Sequence, residues 1–134
     1  MTDSYLKLGD AAERLNGRLV TDIDICYDDE ILITLSGGRR YKFWHRQDCC
    51  ETVEIVGVDG DVKTLRGKIV RSFEHEVEPS GDPPPEHPDS WTRTTLRFVT
   101  DENTVIVRWL GTSNGYYSEN VDFSEISRSY RPKR

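Results

Sequence analysis

Apolar side chains recur along this chain with two different periods, and the change from one to the other divides it. Over residues 5–17, Leu6, Leu8, Ala11, Ala12 and Leu15 fall at helical spacing, with Asp10 able to cap the start and Gly17 the end. The spacing predicts one short N-terminal helix. From Leu19 the period becomes two, as in a strand whose successive side chains point to opposite faces. Val20, Ile23 and Ile25 lie among Thr21, Asp22 and Asp24, although the phase is imperfect. Residues 27–30 read as a polar turn and residues 31–35 as a second strand. Residues 36–39 form a hairpin turn, because Gly37 and Gly38 reach the positive φ that tight turns need. Residues 40–45 are a third strand with Tyr41, Phe43 and His45 on one face. Residues 20–45 therefore predict a three-stranded antiparallel meander.

Alternation resumes at residues 51–56, with Val53 and Ile55 facing one way. Residues 59–61 turn the chain, Asp61 caps a single helical turn through Leu65, and Gly67 closes it. Residues 68–77 read as a longer strand. Residues 79–89 hold five of the six prolines; they have few backbone donors and nothing to bury, and are expected to be a mobile excursion between strands. Residues 91–100 are a strand with Trp91, Arg93, Thr95, Arg97 and Val99 on one side and Thr92, Thr94, Leu96 and Phe98 on the other. Residues 101–103 turn back into residues 104–110, with Val105, Val107 and Trp109 on one face. Residues 121–123 are read as a short final strand or loop packed at the sheet end. The predicted fold is α+β, mainly β. It is one domain over residues 1–134, a largely antiparallel sheet of about six or seven strands with one N-terminal helix and a short central helical turn.

The net charge of −6 argues against nucleic acid as a partner, since such affinity comes largely from neutralising phosphates. The basic end, residues 127–134, reads as a solvated tail. There are three cysteines, and adjacent Cys49 and Cys50 offer poor geometry for a structural bridge. The expectation is reduced thiols, no disulfide, no metal and a cytoplasmic setting. Residues 1–5 show no basic-then-apolar leader, and no run is long enough to span a membrane.

Two segments are dense in reactive side chains: residues 45–51 (His45 to Glu51) and residues 109–119 (Trp109 to Glu119). The first places His45, Asp48, Cys49, Cys50 and Glu51 together. It can be read as a thiolate activated by histidine, as a metal site, or as a structured corner in which Asp48 takes backbone N–H bonds. Triads are assembled from distant positions, and zinc ligands are spaced by two to four residues, so the corner is favoured. The second segment offers Gly115 in a turn, two tyrosines of which one packs and one stays available, and polar Asn114, Ser118 and Glu119. That mixture suits a nucleotide-like ligand. If the strands ending at His45 and Trp109 ran in the same direction in one sheet, Asp48, Glu51, Asn114, Tyr116, Tyr117 and Glu119 would surround one concavity. Those six are the candidate ligand-binding residues; no catalytic residue, metal ligand or cofactor is assigned. The acidic Asp22, Asp24, Asp28, Asp29 and Glu30 read as a solvated face, and His75 and His87 as exposed.

The pattern His45, Asp48-Cys49-Cys50-Glu51, Gly60-Asp61, Leu65, Gly67, then Arg108-Trp109-Leu110-Gly111, Ser113-Asn114-Gly115-Tyr116-Tyr117-Ser118-Glu119 and Val121-Asp122-Phe123 resembles a family of small uncharacterised bacteriophage and prophage proteins. The resemblance covers roughly residues 15–125 and carries no activity with it. It implies a non-enzymatic accessory protein in the cytoplasm of an infected bacterium, binding a host protein or a small polar ligand such as a nucleotide. Two alternatives come from other classes: a hydrolase or transferase using Cys49 or Cys50 with His45, and a structural or assembly protein.

Overall fold

A computed structural model describes residues 4–79 and 90–132. Nine strands appear among the described residues, in two antiparallel sheets rather than one. The strands are β1 (Ser4–Leu6), β2 (Val20–Cys26), β3 (Glu30–Leu35), β4 (Arg40–Trp44), β5 (Thr52–Asp59), β6 (Ser72–Pro79), β7 (Ser90–Val99), β8 (Thr104–Ser113) and β9 (Asp122–Ile126). The first sheet has the order β1-β9-β4-β3-β2, and the second β5-β8-β7-β6. Periodicity reports which face of a strand is buried; it does not report which strands are partners, so the division into two layers was invisible in the sequence.

The meander over residues 20–45 is present, with β2, β3 and β4 adjacent and antiparallel. Gly37 and Gly38 turn it at φ 95° and 90°. The hairpin of β7 and β8 alternates as the sequence predicts: Thr92, Thr94, Leu96 and Phe98 are buried, and so are Val105, Val107 and Trp109. Asp61 caps the 3-10 turn Val62–Leu65 by accepting from the Lys63 amide over 2.9 Å.

Three expectations change. The helix predicted over residues 5–17 shrinks to a 3-10 turn, Leu8–Asp10, running into α1 (Ala11–Leu15), because Ser4–Leu6 instead adds as an edge strand to β9. The strand expected over residues 68–77 becomes β6 proper plus a bridge between Leu19 and Ile69. The final strand is not at a sheet end. Strand β9 lies between β1 and β4, and its Phe123 belongs to the core. The proline-rich excursion lies, from residue 80 to 89, outside the described residues.

The two layers meet on aromatic rings. Phe43 and Phe123 of the first sheet face Phe73 and Phe98 of the second, with Phe43 centroids 4.9–5.8 Å from the other three. Each such ring removes a large apolar area from water, worth roughly 1.5–3 kcal/mol per side chain. A backbone bond also ties the layers at their rim, the Ile55 amide donating to the Asp28 carbonyl over 2.6 Å, and the Phe73 amide of β6 donates to the side chain of Asn16, just after α1, over 2.7 Å. Residues 127–130 turn back across the outer face of the first sheet, where the Arg40 guanidinium donates to the carbonyls of Ser127, Arg128 and Tyr130 at 3.1–3.2 Å.

Candidate functional site

His45 leaves β4 on its inward face and is buried where the two sheets converge. Its Nε2 lies 2.7 Å from Glu51 Oε2, and its Nδ1 lies 2.7 Å from the Asn120 carbonyl. The Asn120 carbonyl can only accept, so Nδ1 donates to it. Glu51 is more than an ion-pair partner. The amides of Asp48 and Cys49 donate to its two oxygens at 2.9 Å each, and Gln47 Nε2 reaches its carboxylate at 3.3 Å and its backbone carbonyl at 2.6 Å. The corner at residues 47–51 is thus wound around one carboxylate. The His45 hydrogen bond, reinforced by those amides and opposed by burial, holds the Glu51 carboxyl down to about 2.

Here the sequence expectation of free thiols is corrected: Cys49 and Cys50 form a disulfide, and Cys26 is the free cysteine. The physical reason lies in the corner itself. Winding the Asp48 and Cys49 amides onto a side chain only two or three residues ahead tightens the turn and brings both cysteine side chains together. The Cys26 thiol is pushed up by burial, with Glu30 and Asp24 adding to the shift.

The second segment has the same construction. Glu119 is buried and accepts from Thr92 Oγ1 over 2.7 Å and from Ser113 Oγ over 2.5 Å. Ser113 Oγ in turn accepts the Gly115 amide, Asn114 the Tyr116 amide, and Ser118 the Asn120 amide. Gly111 passes so close to Glu119 that an added Cβ would sit 2.5 Å from its carbonyl oxygen. Tyr116 projects with 84% of its surface exposed, and its ring meets that of half-buried Tyr117 edge-on at 5.4 Å.

The strands ending at His45 and at Ser113 lie in different sheets, so the condition set on the sequence does not hold. The segments meet nevertheless, through the His45–Asn120 bond and the pairing of Val53 with Gly111. Of the six candidate residues, Glu51 and Glu119 point inward onto donors of this same chain. Asp48, Asn114 and Tyr116 are exposed, with Tyr117 beside them. Among the described residues, no three of His, Cys, Asp and Glu group as metal ligands would, and no helix is long and apolar enough to cross a membrane.

With this geometry in hand, comparison with known proteins gives one match. Residues 13–123 fit the domain of unknown function DUF7448. The chain is a DUF7448 protein. Neither a curated protein nor a solved structure matches it.

Both dense segments fall inside the matched stretch of this DUF7448 protein, while β1 and residues 127–132 fall outside it. The unmatched C-terminal residues border a feature that sequence reasoning missed. A cavity of about 640 Å³ lies on the outer side of β4, lined by Tyr27, Glu30, Lys42, Trp44, Arg46 and Tyr130 among others. The Lys42 ammonium sits 3.9 Å from the Trp44 ring centroid and 4.3 Å from that of Tyr130. The Tyr130 hydroxyl donates to Glu30 over 2.6 Å and accepts from Lys42 over 3.2 Å. Glu30 is therefore a buried partner rather than part of a solvated acidic face. The one available signal was the pair Lys42 and Trp44 on the outward positions of β4; Tyr130 could not be placed beside them from 88 residues away.

Proposed function

We propose that this protein is a non-catalytic binding protein, an accessory factor of a bacteriophage or prophage acting in the cytoplasm of the infected bacterium. Its partner is a host protein, engaged at the end of the sandwich that displays Asp48, Asn114, Tyr116 and Tyr117. One observation carries this reading: His45, held by Glu51 of its own segment at 2.7 Å, reaches the carbonyl of Asn120, next to the second segment, over 2.7 Å, while the Tyr116 ring beyond them is 84% exposed. A firmly held loop presenting an exposed tyrosine suits a protein partner, because tyrosine gives large contact area with little conformational entropy to lose. The groups that a cysteine enzyme would need are committed elsewhere. The two adjacent sulfurs are bonded to each other, and both ring nitrogens of His45 are occupied.

The test is affinity capture from infected-cell lysate with mass spectrometry of bound proteins and small molecules. Capture of a host protein that Tyr116→Ala abolishes, with the melting temperature unchanged, supports the reading. Capture of further copies of this chain alone indicates an assembly role instead.

A further inference from the structure

The disulfide between Cys49 and Cys50 joins neighbours in the chain. Both residues are exposed, and they adjoin Asp48, which belongs to the proposed docking face. The third cysteine, Cys26, is half-buried, and burial pushes its thiol up. We propose that Cys49 and Cys50 are a reversible redox site, reduced by thiols of the glutathione class, whose state governs the loop that carries Tyr116. The proposal rests on the reading above, in which the protein works in a bacterial cytoplasm and docks through that loop. In such a compartment disulfides are transient and serve catalysis or redox sensing.

A structural staple is the competing explanation, and the geometry of the corner opposes it. A disulfide stabilises chiefly by restricting the unfolded chain, and more so the longer the loop it closes. This one closes the shortest loop possible, a sequence separation of one. The corner has its own support besides the sulfurs. The Asp48 and Cys49 amides each donate to the Glu51 carboxylate over 2.9 Å, and Gln47 Nε2 donates to the Glu51 carbonyl over 2.6 Å. Those bonds keep the two cysteines side by side after reduction, so the sulfur bond re-forms without a search through open chain.

Two routes lead from the pair to the tyrosine loop. The first runs through hydrogen bonds. The Cys49 amide is held by Glu51, Glu51 is 2.7 Å from His45, and His45 donates to the Asn120 carbonyl over 2.7 Å. The Asn120 amide in turn donates to Ser118 Oγ over 3.2 Å. The second route runs through the sheet, where Thr52, two residues after Cys50, pairs with Thr112 at the foot of the loop. Opening the ring returns backbone rotation to Cys49 and Cys50, and both routes begin there.

Reduction proceeds by thiol exchange. A glutathione thiolate attacks one of the two exposed sulfurs, and the sulfur–sulfur bond breaks. Its electron pair leaves on the other cysteine sulfur, which takes a proton. A second glutathione thiolate attacks the mixed disulfide and releases the remaining cysteine, which is protonated in turn. Two thiols become one glutathione disulfide, and two electrons and two protons pass to the protein. Oxidised glutathione reverses each step.

The test equilibrates the full chain with glutathione, first oxidised, then poised at the reducing potential of bacterial cytoplasm, then oxidised again. Acid quenching, alkylation and intact mass give the thiol count, and amide hydrogen exchange reports the loop. Both cysteines should be reduced together in the folded protein and should re-form the bond on return. The amides of Cys49, Gly115 and Asn120 should exchange at least about fivefold faster when reduced, the lower end of ordinary coupling between sites. The amides of Leu96 and Val107, in the β7–β8 hairpin, should stay equally protected. The double variant Cys49→Ser, Cys50→Ser should exchange like the reduced protein in every buffer. The proposal is overturned if the disulfide survives the reducing buffer, as a structural one does. It is equally overturned if reduction leaves Gly115 and Asn120 unchanged, or if the hairpin loses protection along with them. No host protein enters this measurement, so its failure leaves the docking reading standing, and failed host capture leaves the redox result standing.

Discussion

Glu51 accepts a hydrogen bond from His45 across 2.7 Å, with the carboxylate side chain fully out of solvent and the ring 3% exposed. The two residues are only six apart, yet the bond joins the end of β4 to the start of β5, and so one sheet to the other.

This pair sets an acid limit on the fold. The Glu51 carboxyl, ordinarily near 4.5, is held to about 2, so folding favours its ionised form. The stability it contributes is complete above the unfolded value and is lost as pH falls from about 4.5 toward 2. Urea midpoints measured across that range should decline in the natural protein. In Glu51→Gln the midpoint should start lower and decline less, so that the two curves converge at the acid end.

The cysteine corner is checked by alkylation and intact mass. Without reductant, Cys49 and Cys50 should resist alkylation in the folded and the denatured protein alike, and the mass should rise by two hydrogens on treatment with a dithiol. Cys26 should react slowly at neutral pH in the folded state, since burial keeps its thiol protonated. Rapid labelling of two cysteines in untreated protein would contradict the disulfide.

Gly111 is the position least able to change. A Cβ there would press on the Glu119 backbone, 2.5 Å from its carbonyl oxygen and 3.1 Å from its carbonyl carbon, and backbone cannot move aside as a side-chain tip can. Gly111→Ala should cost about 1–3 kcal/mol or more by denaturant titration. Thr92→Val, which removes one donor from buried Glu119, should cost about 1–3 kcal/mol.

The aromatic seam between the layers is more expensive. Phe43 touches the rings of Phe73, Phe98 and Phe123, so Phe43→Ala should lose about 3–5 kcal/mol. Phe43→Leu should lose much less, and either change is read from the same titration.

The parts of this molecule that the sequence made legible are those where one face alone is buried. Residues 92–98 alternate because Thr92, Thr94, Leu96 and Phe98 face the core and Arg93, Thr95 and Arg97 do not. Gly37, Gly38 and Asp61 announced their turns by backbone chemistry that acts over a few residues. Strand β1 was hidden because it is three residues long and exists by pairing with a strand about 117 positions away, while Leu6 and Leu8 also fit a helical spacing. The site was half legible. The two dense segments do come together, but the inward turn of Glu51 onto His45, Asp48 and Cys49 leaves no mark on periodicity although its donors are local, and one donor to Glu119, Thr92, lies 27 residues away.

The pairing of β9 between β1 and β4 constrains how the chain can be made. Ser4 registers with Glu125, and Lys42 with Ser124, so the first sheet lacks an interior strand until residues 122–126 have emerged from the ribosome. Until then β4 offers an open edge, and Tyr41 and Phe43 lack Phe123, the ring each is stacked or tilted against. Such long-range closure makes folding slow and late relative to synthesis. The emerging polypeptide is consequently vulnerable to aggregation and to proteases until β9 arrives.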